Sequence, residues 1–311
     1  MRVGAVDCGT NSIRLLIADA VSGALRDVHR EMRIVRLGEG VDATGEFAPA
    51  ALARTEAALS DYVDTMRAHG VERVRMVATS AARDAANRDE FFAMTARLLG
   101  EVVPGTVAEV ITGTQEAELS FRGAVGELDP AAGPFVVVDL GGGSTELVLG
   151  ESGVTASHSA DIGCVRIKER FLQTDPPSAA EIGEARALVR ERLDEALREV
   201  PVAHARTWVG VAGTFTTLAA LAHGLQVYDP AAIHLSRTGF GDLLAMCDRL
   251  IRMSAAERAA LGPMHEGRAD VIGGGAIIVE ELAAVLGELA GIDELVVSEH
   301  DILDGIALSI A

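Results

Sequence analysis

The sequence predicts an α/β protein built from two copies of one unit, and three observations carry that prediction. The segment Val6-Asp7-Cys8-Gly9-Thr10-Asn11-Ser12-Ile13-Arg14-Leu15 returns 132 residues later, from position 7 to position 139, as Val138-Asp139-Leu140-Gly141-Gly142-Gly143-Ser144-Thr145-Glu146-Leu147. Around each copy, three β-runs precede alternating helices and strands. The length of 311 residues is long for one core and natural for two domains. An internal repeat weighs more than any single local motif.

The elements follow in chain order. Strands are expected over 2–7, 13–19 and 25–36. Pro49 suits a first helical turn, and Leu52, Leu59, Val63 and Met66 recur at helical spacing, so a helix runs from 49 to about 68. Val74, Met76 and Ala78 alternate as in a strand over 73–79. A helix over 84–99, a strand over 106–111 and a helix from about 115 complete the first copy. Asp129-Pro130-Ala131-Ala132-Gly133-Pro134 is punctuation, after which strands 135–140, 145–149 and 153–159 restart the order. Ser178 with Glu181, and Ser254 with Glu257, are capping-box patterns, and the first opens a long helix. Strand 206–211, a helix after Gly213-Thr214 with Thr214 as its N-cap, a helix over about 267–289, strand 294–298 and a short helix from 301 end the chain. The expected domains are 1–128 and 129–299, with 300–311 returning to the first. Hinges are expected near 129–134 and 300.

Each repeated segment reads as a hairpin. An apolar β-run ends in an Asp, turns through Gly and hydroxyl or amide residues, and resumes as a second β-run. Glycines let backbone N–H groups converge on an oxyanion without Cβ obstruction, and an Asp at the strand end is placed to hold a hydrated cation over it. A Gly-bearing turn is also common in plain hairpins. The recurrence of Asp, Gly, Ser and Leu at matching positions favours the phosphate-handling reading, in which two facing tips enclose a nucleotide or polyphosphate.

Composition narrows the partners. Hydrophobic content of 49% supports a packed globule, and the apolar runs are too short or too interrupted to span a bilayer, so no membrane is expected. Arg2 is followed at once by a strand rather than by a long apolar segment, so no signal peptide is expected and the reading is cytoplasmic. Cys8, Cys164 and Cys247 lack Cys-x-x-Cys spacing, which suggests buried packing rather than a disulfide or zinc. A formal net charge of −19 argues against broad nucleic-acid binding and requires positive charge to be concentrated at the site. Lys168 is the only lysine, so no Gly-Lys-Ser/Thr exists and a P-loop is excluded. The histidines show no ligand spacing and receive no catalytic role.

The duplicated unit, with three strands and then helix-strand alternation, resembles the actin-like superfamily of sugar kinases and heat-shock chaperone ATPases. Asp7-Cys8-Gly9-Thr10-Asn11-Ser12, Ala78-Thr79-Ser80-Ala81-Ala82-Arg83, Ile111-Thr112-Gly113-Thr114-Gln115-Glu116-Ala117, Asp139-Leu140-Gly141-Gly142-Gly143-Ser144-Thr145-Glu146 and Gly210-Val211-Ala212-Gly213-Thr214 occur in the order of the exopolyphosphatase and guanosine pentaphosphate phosphatase (Ppx/GppA) family. The resemblance covers essentially the whole chain. It implies duplicated ribonuclease H-like (actin-like ATPase) domains with an interdomain cleft that closes on substrate, Mg²⁺ or Mn²⁺ as cofactor, and a homodimer. The implied activity is hydrolysis of a terminal phosphate from inorganic polyphosphate.

Terminal phosphoryl transfer to water needs a cradle for the phosphate oxygens, a cation, and a group that orients and deprotonates water. The cradle is assigned to Gly141, Gly142, Gly143 and Ser144, with Thr10, Asn11 and Ser12 facing them. Asp7, Asp139 and Glu146 are the candidate metal residues. The motif match places Arg83 on phosphate oxygens and Glu116 as general base. Glu116 alone also reads as a first-turn surface carboxylate. The family often carries a second acid just before this glutamate, where this chain has Gln115. Gly213 and Thr214 resemble the superfamily's phosphate-binding turn. Arg26, Arg30, Arg33, Arg36 and Arg268 are candidates to guide a polyanion. Some family members add a C-terminal helical domain, and the end of this sequence after 301–311 leads us to expect short chains as substrate. Guanosine pentaphosphate 5′-phosphohydrolase, an actin-like kinase and a non-catalytic nucleotide sensor remain the alternatives.

Overall fold

The computed structural model describes residues 1–21 and 23–311. The chain forms two compact units, Met1–Gly123 with Ile302–Ala311, and Ala124–Asp301.

In the first unit the strands are β1 (Arg2–Cys8), β2 (Ser12–Val21), β3 (Ala24–Ile34), β4 (Arg73–Ala78) and β5 (Glu109–Val110), in the order β3-β2-β1-β4-β5. The β1–β2 and β2–β3 pairs are antiparallel, whereas β1–β4 and β4–β5 are parallel. Alternation along β1 feeds two cores. Val6 and Cys8 pack with Leu59, Tyr62 and Met66 of the helix Pro49–Ala68, while Val3 and Ala5 pack with Ile302, Leu303 and Ile306 of the closing helix Ile302–Ser309. Both sheet faces are thereby covered, as a partly parallel sheet requires. Arg30 clamps the closing helix from β3, with Nη2 2.6 Å and Nη1 3.2 Å from the two oxygens of the buried Asp304.

The second unit repeats the plan with β6 (Phe135–Leu140), β7 (Thr145–Gly150), β8 (Val154–Ala160), β9 (Thr207–Val211), β10 (Ser236–Gly239) and β11 (Glu294–Val297), ordered β10-β11-β9-β6-β7-β8. Read from β8, the first five strands reproduce the first sheet: two antiparallel pairings, then two parallel ones. This is the ribonuclease H-like order, duplicated, with β10 added antiparallel at the edge. Trp208 on β9 is fully buried between Phe215 and Phe240, each ring edge-on at 5.7 Å. A Cβ on Gly210 would lie 2.6 Å from the Phe215 ring, so glycine is required there.

Several expected boundaries change. The helix expected over 84–99 starts only at Arg88, after a separate short helix Ser80–Asp84. The break is held by Asn87, whose amide oxygen accepts from Phe47 N–H (2.8 Å) and whose amide nitrogen donates to Phe47 C=O (3.1 Å), as a strand partner would. The strand expected over 106–111 shrinks to the two residues that pair with Val77 and Ala78. The helix expected over 267–289 begins only at Ile272. Among the helices not expected are the short Cys164–Phe171 and Phe240–Arg252, whose Leu243, Cys247, Leu250 and Ile251 form a buried stripe. Both capping boxes are present.

Candidate functional site

The site residues of each unit leave the carboxyl ends of its parallel strands, the edge where α/β sheets present ligand-binding loops. In the first unit, Thr79 N–H donates to Cys8 C=O and Ile111 N–H to Ala78 C=O. This stitches the β1 tip, the Ser80–Asp84 helix and the segment before Glu116 side by side. In the second unit, Ser298 N–H donates to Gly210 C=O, bringing the ends of β9 and β11 together beside β6.

The two tips close identically. Gly9 N–H donates to Ser12 C=O and Gly141 N–H to Ser144 C=O, each at 3.0 Å. Behind the second tip, Gly141 C=O accepts from Cys164 N–H (3.0 Å), and Gly142 C=O accepts from Val165 and Arg166 N–H (2.9 and 3.1 Å). The carbonyl of Gly143 accepts from Arg166 Nε (2.8 Å). A trans peptide points its N–H opposite to its C=O. The N–H groups of Gly142, Gly143 and Ser144 therefore face away from residues 164–166, on a common side, as an anion nest requires. In the first tip, Thr10 C=O accepts from Gly38 N–H and Asn11 C=O from Val35 and Arg36 N–H, which turns the Asn11 and Ser12 N–H groups outward in the same way.

Close approach explains two glycines outside the tips. A Cβ on Gly163 would lie 2.4 Å from the Gly142 backbone, and one on Gly38 would lie 2.3 Å from Thr10 Cγ2.

The strand-end acids differ between the units. Asp7 on β1 stands opposite Arg14 on β2, and its Oδ2 accepts from Arg14 Nη2 (2.6 Å) and Nε (3.0 Å). Asp139 on β6 stands opposite Glu146 on β7, the position equivalent to Arg14. Both acids are buried. Glu146 Oε1 accepts from the hydroxyls of Ser144 (2.8 Å) and Ser159 (2.7 Å), so the Ser144 hydroxyl is directed to Glu146 and its N–H is the group turned outward. Like charges directly opposite on paired strands are unfavourable. A divalent cation would relieve that, so the Asp139–Glu146 pair is a candidate to hold one.

Glu116 is not a surface carboxylate. It is 7% exposed, its N–H donates to Thr112 C=O, and its Oε2 accepts from Arg83 Nη1 at 2.6 Å. Arg83 Nη1 also donates to Ile111 C=O (3.1 Å). Gln115 serves the helix Gly113–Val125: its Oε1 accepts from Thr112 N–H (3.0 Å) while its own N–H donates to the Thr112 hydroxyl (3.2 Å). That reciprocal pair is a capping box, and it gives Gln115 a structural role.

Thr214 is not the N-cap expected for its helix. The helix Gly213–Ala222 is preceded by Ala212 at φ 72°, ψ 176°, with no side-chain cap. Thr214 lies inside the first turn, buried against Gly275. Burial pushes the Cys164 thiol up to about 11, so Cys164 is a packing group and not a nucleophile. The Arg268 guanidinium covers Gly213, where a Cβ would lie 2.3 Å from Cζ. Of the other candidate guides, Arg26 pairs with Asp19, Arg30 with Asp27 and Asp304, and Arg33 with Glu31 and Asp61. Those three are committed to the fold of their own unit. Arg36 sits at φ 50° with its N–H on the Asn11 carbonyl.

Glu127, His234 and His300 also cluster. Glu299 N–H donates to His234 Nδ1 (3.2 Å), so neutral His234 carries its proton on Nε2, facing Glu127 at 3.3 Å. A metal ligand would need the reverse tautomer, with Nδ1–H donating to an acceptor. The cluster is a hydrogen-bond network.

Sequence reasoning missed Arg14, Ser159, Gly163 and Arg166. The 132-residue offset itself pairs Arg14 with Glu146, which was the available signal. No local pattern marks Ser159, Gly163 or Arg166, because each meets the tip only through the fold.

Residues 16–310 match the Ppx/GppA phosphatase family. The chain is 69% identical over 314 aligned residues to Exopolyphosphatase 2 of Mycobacterium tuberculosis, covering 100% of this chain and 98% of that protein. It is 31% identical to a guanosine-5′-triphosphate,3′-diphosphate pyrophosphatase of Aeromonas salmonicida, over 83% of this chain and 52% of that one. Among solved structures, an exopolyphosphatase-like protein superposes with TM-score 0.95 at 43% identity, covering 100% of this chain and 97% of that chain. A Ppx/GppA enzyme of Aquifex aeolicus superposes with TM-score 0.80 at 34% identity, covering 99% of both chains. Matched along nearly its whole length in sequence and in fold, and carrying two closed glycine tips beside strand-end acids, the chain belongs to the Ppx/GppA phosphatase family.

Proposed function

We propose that this protein is an exopolyphosphatase that removes the terminal phosphate of inorganic polyphosphate by attack of water. The observation that carries the reading is the second tip: three N–H groups turned to one side, next to two buried carboxylates that face each other across β6 and β7. A phosphate chain with its divalent cation satisfies both features together. The high identity to a named exopolyphosphatase over the full chain supports the same substrate.

The roles are divided among named groups. Gly141, Gly142, Gly143 and Ser144 bind phosphate oxygens through the backbone, as do Thr10, Asn11 and Ser12 of the other unit, and Gly213 and Thr214 line a further phosphate position. Asp139 and Glu146, with Asp7, would hold Mg²⁺ or Mn²⁺, and a cation there would supply neutralisation of the charge that develops on the leaving phosphate. Glu116, held in place by the Arg83 contact, accepts the proton of the attacking water. Arg83 exchanges that carboxylate for phosphate oxygens as substrate enters.

A second reading, hydrolysis of guanosine pentaphosphate, is favoured by the relatives named as guanosine-5′-triphosphate,3′-diphosphate pyrophosphatases. Phosphate release measured side by side on short polyphosphate, long polyphosphate, guanosine pentaphosphate and ATP decides between them. The exopolyphosphatase reading expects the fastest release from short polyphosphate, and a clear preference for guanosine pentaphosphate would replace it. The protein is also proposed to be a cytoplasmic homodimer with domains at 1–128 plus 300–311 and 129–299. No helix among the described residues is long and apolar enough to cross a membrane. Light scattering tests the dimer, and a mass near 32.4 kDa at micromolar concentration contradicts it.

A further inference from the structure

We infer that Arg166 is a positioning residue that sets the aim of the second tip, through its grip on the Gly143 carbonyl. This rests on the exopolyphosphatase reading for its consequence in turnover, but its binding consequence stands apart from the chemistry.

Three observations place Arg166 in that role. It is 8% exposed in the first turn of the helix Cys164–Phe171, so its guanidinium is committed to the interior. Its main chain and side chain hold consecutive carbonyls of one loop, N–H on Gly142 (3.1 Å) and Nε on Gly143 (2.8 Å). The residue that begins the grip, Gly163, comes so near the Gly142 backbone that no larger residue fits. A run of glycines has little conformational preference of its own, so the direction of the Gly142–Ser144 N–H groups is dictated by what holds their carbonyls. Arg166 supplies the only side-chain donor to those carbonyls among the described residues. Its planar guanidinium approaches the loop from the carbonyl side.

The test is calorimetric titration with imidodiphosphate, a non-hydrolysable diphosphate, together with phosphate release from tripolyphosphate. It uses wild type, Arg166→Met and Arg166→Lys. Met keeps the stem and removes every donor, and Lys keeps the charge without the planar fork. We expect imidodiphosphate to bind about 10- to 100-fold more weakly to Arg166→Met, and with intermediate affinity to Arg166→Lys. KM for tripolyphosphate should rise more than kcat falls, since a variant that only loses folded protein lowers apparent kcat at unchanged KM. Should Arg166→Met fail to fold, Arg166→Lys decides: wild-type affinity and KM in that variant overturn the assignment, because the aim of the tip then does not depend on the guanidinium Nε–H contact. A wild type that binds imidodiphosphate but releases no phosphate, with weakened binding in the variants, overturns the hydrolase reading and leaves the role of Arg166 standing. Release by wild type with unweakened binding in both variants overturns Arg166 alone. A wild type that does not bind imidodiphosphate overturns the cradle and this inference with it.

Discussion

Asp139 and Glu146 face each other across β6 and β7, and the equivalent place in the first unit holds Asp7 opposite Arg14. The duplication has thus been made electrostatically unequal at one position. One hairpin sets its strand-end acid against an arginine, whose guanidinium holds Asp7, and the other sets it against a second acid.

Mg²⁺ should raise the unfolding midpoint of wild type by mass action, and the rise should shrink in Asp139→Asn and in Glu146→Gln. Chelation should abolish turnover. An equal Mg²⁺-dependent rise in both variants, or full activity in excess EDTA, would remove the metal role from these two residues.

Ala212 holds a backbone conformation, φ 72° and ψ 176°, that is nearly glycine-only and costs roughly 1–3 kcal/mol in other residues. Ala212→Gly should therefore stabilise, by about 1 kcal/mol after the entropy glycine brings to the unfolded chain. A thermal scan should show the midpoint rising by about 2–4 °C, whereas an unchanged or lower one contradicts the strain.

Gly163→Ala should be far worse than another glycine substitution nearby. A Cβ at 163 meets the Gly142 backbone at 2.4 Å, while Gly153, in the turn before β8, has nothing within 4 Å of its own added Cβ. Gly163→Ala should lower kcat/KM by at least about 10²-fold through displacement of the tip, with Gly153→Ala near wild type. Comparable activity in the two variants counts against the tight fit.

Acid stability has a local contributor in Glu181. The Thr174 hydroxyl first, then the Ser178 N–H, holds its carboxyl at about 2, down from 4.5. A carboxylate lowered in the folded state stabilises it fully above its unfolded value and ceases to do so as pH falls through the folded one. The stability gap between wild type and Glu181→Gln should therefore be widest above about pH 4.5 and close toward pH 2. Denaturant titrations across that range test this, and a gap that does not vary with pH contradicts it.

Much of this was legible in the sequence because the relevant signals are local. The hairpin tips and both capping boxes depend on residues within a few positions of one another, and the duplication is a repeat of one such local pattern. The helix Phe240–Arg252 was equally legible, with Leu243, Cys247, Leu250 and Ile251 at helical spacing, and was passed over. What could not be read was tertiary. Asn87 breaks a helix by pairing with Phe47, 40 residues away; Arg166 reaches Gly143 from 23 residues on; and Arg83 meets Glu116 across 33. Thr214 has the composition of an N-cap, but the turn is taken one residue before Gly213 by a strained alanine, so the threonine falls inside the helix.

The central claim is that Glu116 accepts the proton of the attacking water, and one substitution separates that from every structural use of the residue. Glu116→Gln keeps the shape and an oxygen acceptor for Arg83 while removing proton acceptance. Phosphate release from tripolyphosphate, measured with imidodiphosphate binding on the same protein, should show kcat reduced by about 10²- to 10⁴-fold with binding nearly intact. Near wild-type release by Glu116→Gln would contradict the mechanism outright, and loss of binding along with release would make Glu116 a structural partner of Arg83 instead.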